Sequence, residues 1–441
     1  MSKNLSHGFF SLLDRIVIVL FGFLNIFFLA RMMSKAEVGA WVLFTSVTAI
    51  LEMIRVGFIR NPFVTNYVSA ESDERKHILT SSVILHVLLS LAIAALLVGM
   101  GKPLADLWNA GELVNLFLIY AVNTIVFVPQ HHFEYMQQVQ LKFKGIFVGN
   151  IVRLGIPSVY IMFGYFTHQT PSLSSIAMVQ VGATIVTTFV GYYYVRGAFD
   201  FAKRWDRASM KELFHYGKFT LGTNISSMFV KNTDSWMIGK LVSTAGVALY
   251  NPAIRISNLV EVPTVAIASV FFPQVAQRLK ERGKEGVRDV YVKSVSLILA
   301  LTLPIVTPLY IFAELAIAII FGKEYVESAT ILRVTLFYTL IIPFNRQFGT
   351  VMDGTKQPKI NFYLLLLVAV LNIILNYIFL TQFGVIGSAW ATLLSFLTVF
   401  ILNQIILYKK FDINTFDVFP EIINWYKTGW NMFSTRVLKR T

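Results

Sequence analysis

Cysteine is absent from the 441 residues, which excludes a disulfide frame, a thiolate metal site and a cysteine nucleophile. Acidic side chains are scarce, 24 against 38 Lys and Arg. The chain also lacks a glycine-rich phosphate loop, a catalytic triad and any nucleotide-binding signature, so no recognisable motif hydrolyses ATP. His131, His132 and Glu134 sit close together, but neither H-x-x-x-H nor H-E-x-x-H spacing occurs, and they read as a polar helix end rather than a metal site. The opening run is followed by ARMMSKAEVGAW, which has no small-residue cleavage pattern, and is read as a retained first helix.

What is abundant is apolar sequence. Hydrophobic residues make up 56% of the chain and the mean hydropathy is +0.64, more than one soluble core can bury, so the chain reads as a polytopic membrane protein. The net charge of +14 does not point to nucleic acid, because the bases fall in short loops. Apolar windows of about 20 residues predict helices near 8–32, 37–68, 77–100, 112–138, 145–166 and 172–196, and again near 213–240, 246–277, 288–313, 326–351, 359–381 and 384–408. An even number places both termini on one side. With that side cytoplasmic, the inner segments carry 24 of the bases and the outer turns five, as the positive-inside rule requires.

The two sets of six resemble each other. MMSKAEVGAW, Met32 to Trp41, overlies KLVSTAGVALY, Lys240 to Tyr250; in that register Asn25 falls on Asp234, Arg15 on Asn224, and Glu52 on Glu261. Repeats of six helices keep the same orientation and are related by an axis along the membrane normal. The predicted architecture is therefore an all-α integral membrane protein of twelve transmembrane helices in two pseudo-symmetric six-helix lobes. The N-lobe covers 1–196, a basic cytoplasmic linker 197–212, the C-lobe 213–410, and a cytoplasmic amphipathic tail 411–441, whose aromatics and bases suit a helix lying in the interface.

Polar residues recur at helical spacing within these apolar helices. Asn224, Ser227, Lys231 and Asp234 share one face of the seventh, and Asn251, Arg255 and Asn258 one face of the eighth. An ionisable side chain at membrane depth costs about 2.5–3.5 kcal/mol on insertion scales, so such faces meet water or a partner helix. Arg15, Arg60 and Arg153 add cations in the first six helices. Glu52 with Arg55, and Lys231 with Asp234, are three apart and can instead be self-neutralising pairs. Asp14, Asp234 and Glu261 are candidate carboxylates for a coupling proton or sodium ion, because a carboxyl in low dielectric changes charge readily; no other cofactor and no catalytic residue is indicated.

YGKFTLGTNISSMFVKNTDSWMIGKLVSTAGVALYNPAIRISNLVEVPTVAIASVFFPQVA resembles the middle signature of bacterial polysaccharide flippases of the Wzx type, through Tyr216-Gly217, Asp234, Ile238-Gly239, Gly246 with Tyr250, and Pro273. FGKEYVESATILRV, LNIILNYIFLTQFGVIGSAWATLLS and the opening SLLDRIVIVLFGFLNIFFLARMMSKAEVGAW are similar to further patterns of that family. The resemblance implies a MATE-like fold, not an enzyme but a transporter moving polyprenyl-diphosphate-linked oligosaccharide across the bacterial cytoplasmic membrane, working beside polysaccharide polymerase machinery. Where many relatives carry an acid before the glycine of the second helix, this chain has Arg55-Val56-Gly57. For such a cargo Arg15, Arg60, Arg153, Lys231 and Arg255 are candidates to bind the diphosphate, and Asn224, Ser227, Asn251 and Asn258 to meet sugar hydroxyls. A multidrug exporter shares the architecture but handles cations, for which these side chains have the wrong sign; a membrane glycan polymerase or ligase needs larger outer segments than these turns provide.

Overall fold

A computed structural model describes the backbone of residues 3–438, and their side chains apart from those of 3–9, 11, 12, 216, 219–230, 269, 432, 433 and 435–438. The described residues are helical and contain no strand. In lipid this is the expected outcome, since a helix satisfies every backbone N–H and C=O within one segment.

The contacts divide the chain into two units, Met1–Ala248 and Leu249–Thr441. In the first, α1 (Lys3–Met32) packs mainly on α6 (Phe143–Phe166). α4 (Ser72–Leu107) pairs with α5 (Glu112–Val139), α5 with α7 (Leu173–Val195), and α7 with α6. α2 (Lys35–Arg55) is continued by a π-helical turn at Val56–Arg60 and then by α3 (Asn61–Ser69), so the predicted helix over 37–68 is interrupted where apolar content alone gives no warning. A π-turn widens the backbone by one residue per bond and is commonly found at functional sites. α8 (Arg207–Leu241) lies against α2, the π-turn, α3 and α4. Gly217 admits the Phe58 backbone and ring, which a Cβ there would meet at 2.9 Å.

The second unit holds most of α9 (Thr244–Val260), then α10 (Val262–Ile311), α11 (Ala313–Ile320), α12 (Ser328–Gly354), α13 (Pro358–Phe383), α14 (Val385–Phe411) and α15 (Val418–Leu438). The predicted helix over 246–277 is broken at Glu261, which caps α10 with its peptide rather than continuing α9. α10 is two arms folded at Gly283, whose φ of 59° and ψ of −139° favour glycine. Its second arm pairs with α12, α12 with α14, and α14 with α13. The pairing order of α4 to α7 thus recurs in α10, α12, α13 and α14, the packing counterpart of the repeat read in the sequence.

Among the described residues, ten segments are long and apolar enough to cross a membrane, one of them the 68-residue stretch Thr244–Ile311. A straight helix of that length would run roughly 100 Å, so its two arms are separate crossings. The molecule is a multi-pass membrane protein.

Both repeat corners are built alike. Ser34 caps α2, its hydroxyl accepting from the Glu37 N–H at 3.3 Å while the Glu37 carboxylate accepts from the Ser34 N–H at 2.9 Å. Ser243 precedes α9 and its hydroxyl accepts from the Gly246 N–H at 3.0 Å. At the opposite end of α8, the Asp206 carboxylate accepts from the Ser209 N–H at 2.7 Å and its hydroxyl at 2.9 Å, which holds its pKa below the ordinary carboxylate value. A depressed folded-state pKa means the cap is complete above the unfolded value of about 4 and is lost as pH falls through that range. Asp206→Ala is therefore expected to speed amide exchange in the first turn of α8 at pH 7. Asp206→Asn, which caps without charge, should restore protection and remove its loss in acid; unchanged exchange in Asp206→Ala would overturn the assignment.

Candidate functional site

In the first unit, polar side chains bond α2 to α5 and α1 to α6. Glu52 and Arg55 are one turn apart on α2, as are Asn150 and Arg153 on α6. Arg55 is fully buried, with 0% exposure. Its Nη1 donates to Glu52 Oε1 at 2.7 Å, and the Tyr120 hydroxyl donates to the same oxygen at 2.5 Å. The guanidinium also lies 5.2 Å from the centre of the Phe127 ring, a favourable cation–π placement. The pair reading of Glu52 and Arg55 is the one realised.

Asp14 on α1 accepts from Asn150 Nδ2 at 2.8 Å, and Asn150 Oδ1 accepts from Arg153 Nη2 at 3.0 Å. The amide thus links the carboxylate to the guanidinium and fixes its own orientation, with one end donating and the other accepting. Arg60, at the end of the π-turn, donates through Nε to Gln138 Oε1 at 2.9 Å. Among the described residues, the buried unpaired atoms on Arg, Lys, Asp and Glu side chains are N–H donors: Arg55 Nε and Nη2, and Arg153 Nε. Buried donors of this kind are satisfied by an acceptor-rich group.

His131 and His132 are not a solvated helix end. Both are buried, beside His86 from α4. The His131 ring stacks on Phe127 at 4.8 Å and on His86 at 5.9 Å. His132 Nδ1 lies 2.9 Å from the Val128 carbonyl, which can only accept, so that nitrogen carries a proton. His86 Nδ1 lies 3.2 Å from it, and His132 Nε2 lies 3.2 Å from the Ser82 hydroxyl, which donates to the Leu79 carbonyl at 2.9 Å. His131 Nε2 stands 3.8 Å from Glu52 Oε2. Sequence reasoning missed His86, Tyr120, Asn150 and Gln138. Only Asn150 carried a local signal, its spacing from Arg153; the others are recruited by helix packing.

Of the remaining candidates in this unit, Arg15 is exposed and has no hydrogen-bond or ion-pair partner among the described residues. Lys231 is exposed and Asp234 half-buried. The side chains of Asn224 and Ser227 lie outside the described residues. Within the second unit, Arg255 donates through Nε to Asn251 Oδ1 at 2.7 Å, one turn back on α9. Asn258 is exposed and Glu261 half-buried at the α9–α10 break. The structure therefore joins Asp14 with Arg153 through Asn150, Arg60 with Gln138, and Arg255 with Asn251.

A family model described as polysaccharide biosynthesis protein matches residues 28–330. The probable low-salt glycan biosynthesis flippase Agl15 of Haloferax volcanii is 25% identical over 379 residues, covering 85% of this chain and 77% of that protein. Among solved structures, the inward-facing conformation of a multidrug resistance MATE family transporter of the MOP superfamily superposes with a TM-score of 0.76 at 14% identity, covering 89% of this chain and 94% of that one. Lipid II flippase MurJ in an inward closed conformation gives 0.74 at 16% identity, covering 97% and 92%. At these identities the two structures establish the fold, which is MATE-like.

Proposed function

The chain belongs to the polysaccharide biosynthesis protein family, and on that premise we propose that it is a flippase, moving polyprenyl-diphosphate-linked oligosaccharide from the cytoplasmic to the outer leaflet of the cytoplasmic membrane by alternating access. It acts as a transporter rather than a catalyst, with α1 beginning and α14 ending on the cytoplasmic side and with polysaccharide polymerase machinery as its downstream partner. The observation that carries the reading is the surplus of buried arginine donors on α2 and α6, with Glu52 bonded to Arg55 and Asp14 linked to Arg153 through Asn150. A diphosphate is the acceptor-rich anion such donors match, and Arg recognises it through paired hydrogen bonds that Lys cannot reproduce. A cationic drug would be repelled by the same groups. Asp14 is the best placed of the candidate coupling carboxylates, because Asn150 ties it to Arg153, so a proton or sodium ion at Asp14 would be felt by that guanidinium.

The test uses purified protein in vesicles carrying a labelled lipid-linked oligosaccharide. Wild-type protein should accelerate its transfer between leaflets. Arg15 has no described partner to strand, so Arg15→Ala should keep normal folded yield and lose at least about tenfold in transfer, the scale of one charge-assisted contact. Arg15→Lys should lose less. Arg255→Ala and Arg255→Lys should follow the same order. Normal transfer in the Ala variants, or losses that merely track yield, would overturn these assignments; no acceleration by wild-type protein would overturn the flippase reading.

A further inference from the structure

The C-terminal helix α15 carries an apolar stripe that its own packing leaves uncovered. Phe416 just before it, then Phe419, Ile423 and Trp430, are 74%, 53%, 56% and 69% exposed, at the three-, four- and seven-residue intervals of one helix face. An adjoining face is buried: Val418 and Ile422, with Trp425 beside them, join the core formed by Val292, Val295, Leu299 and Leu303 of α10. A helix lying flat on a membrane would cross an upright one near a right angle and touch it over about two turns. α15 does otherwise.

Three ties fix its direction. Arg288 bonds Asp417 at 2.6 Å, Trp425 Nε1 donates to the Ser296 hydroxyl at 3.0 Å, and the Tyr426 hydroxyl donates to the Ala300 carbonyl at 3.0 Å. The partners advance together along both helices, so α15 runs parallel to the second arm of α10 over about 18 Å, from Arg288 to Ala300. That arm carries no charged residue between Lys293 and its end at Ile311. Ser296 and Ala300 lie about 5 and 10 Å beyond Lys293, hence inside the apolar span, and Trp430 comes level with Leu301, itself exposed on α10. Leu301 and Ile305 are exposed apolar side chains of α10 at that depth, and the α15 stripe is continuous with them in character.

We propose that α15 is inserted into the bilayer alongside α10, with Phe419, Ile423 and Trp430 against lipid acyl chains at increasing depth, instead of lying in the plane of the interface. The partner of this surface is membrane lipid. Lys427, about 1.5 Å of rise beyond Tyr426, is shallow enough for its ammonium to reach the headgroups. The inference holds whatever the cargo of the transporter.

The natural absence of cysteine makes the test clean. Single variants Phe419→Cys, Ile423→Cys, Trp430→Cys and Leu301→Cys, all at exposed side chains, carry a fluorophore in full-length protein in vesicles whose lipids are brominated at defined acyl positions. Quenching should locate the label deeper in the order 419, 423, 430, with Trp430→Cys matching Leu301→Cys, and the two deep sites should react with a membrane-impermeant maleimide at least fivefold more slowly than Lys284→Cys. Equal shallow depths along α15, or maleimide reaction at 430 as fast as at 284, would overturn the proposal in favour of a surface helix. Crosslinking between copies at position 430 would overturn it in favour of a protein partner.

Discussion

Glu52→Gln is expected to destabilise the first unit by about 3–5 kcal/mol, the scale on which a buried charge stripped of its partner is felt. Arg55 is fully buried and Glu52 is the acid bonded to it. Removing that acid leaves the guanidinium facing Phe127, with two of its nitrogens already unpaired. Folded yield should fall steeply, and the Tyr120 hydroxyl loses its carboxylate acceptor as well. The double variant Glu52→Gln/Arg55→Met removes both charges and keeps an unbranched apolar side chain in the space, so most of the yield should return. Transport in that double variant then separates two roles. Recovered yield without transport makes the Arg55 charge part of cargo handling, and recovery of both makes the pair structural. Undiminished thermal stability in Glu52→Gln alone would contradict the buried-pair account.

Gly39→Ala should abolish most transport although it adds one carbon. A Cβ at residue 39 would stand 1.8 Å from the Thr244 carbonyl oxygen and 2.5 Å from its carbon; these are backbone atoms at the start of α9, with no rotamer to yield. The N-terminal turn of α2 and the corner after α8 must therefore separate. That corner is otherwise clamped by Trp236 Nε1 donating to the Ser46 hydroxyl at 2.8 Å and by Trp108 Nε1 donating to the Trp236 carbonyl at 3.2 Å. Overpacking of this kind costs about 1–3 kcal/mol or more, and an element that closes and reopens during transport would lose its closed state, so a drop of tenfold or greater is expected in the vesicle assay. Gly99, whose added Cβ would meet nothing within 4 Å, provides the control: Gly99→Ala should leave transport intact and gain slightly from helix propensity. Equal behaviour of the two variants would show that the close approach has no functional weight.

Several of these features were legible beforehand because they depend on neighbours in sequence. The Glu52–Arg55 pair follows from spacing on one helix, and so does the bond from Arg255 to Asn251. Ser34 and Ser243, matched by the repeat, both turned out to be helix caps, since a cap is a contact within one turn. The stripe on α15 was visible as aromatic sequence, whereas its direction was not: amphipathicity states that one face is apolar, and says nothing of whether the helix lies flat or follows α10 inward.

The sequence by itself determined the class of molecule, the order of most of its long helices, the duplication, and the excess of membrane cations over acids, because hydropathy and charge sum along a chain without reference to folding; it predicted twelve spans where the described residues hold ten segments long and apolar enough to cross. Tertiary structure alone decided which polar groups meet. His86 belongs with His131 and His132 only because α4 packs on α5, and Asp14 reaches Arg153 only through Asn150 on another helix. The π-turn at Val56–Arg60 and the break at Glu261 were equally hidden. Both depart from regular helix where side chains from other helices compete for space and bonds, and local propensity carries no record of that competition.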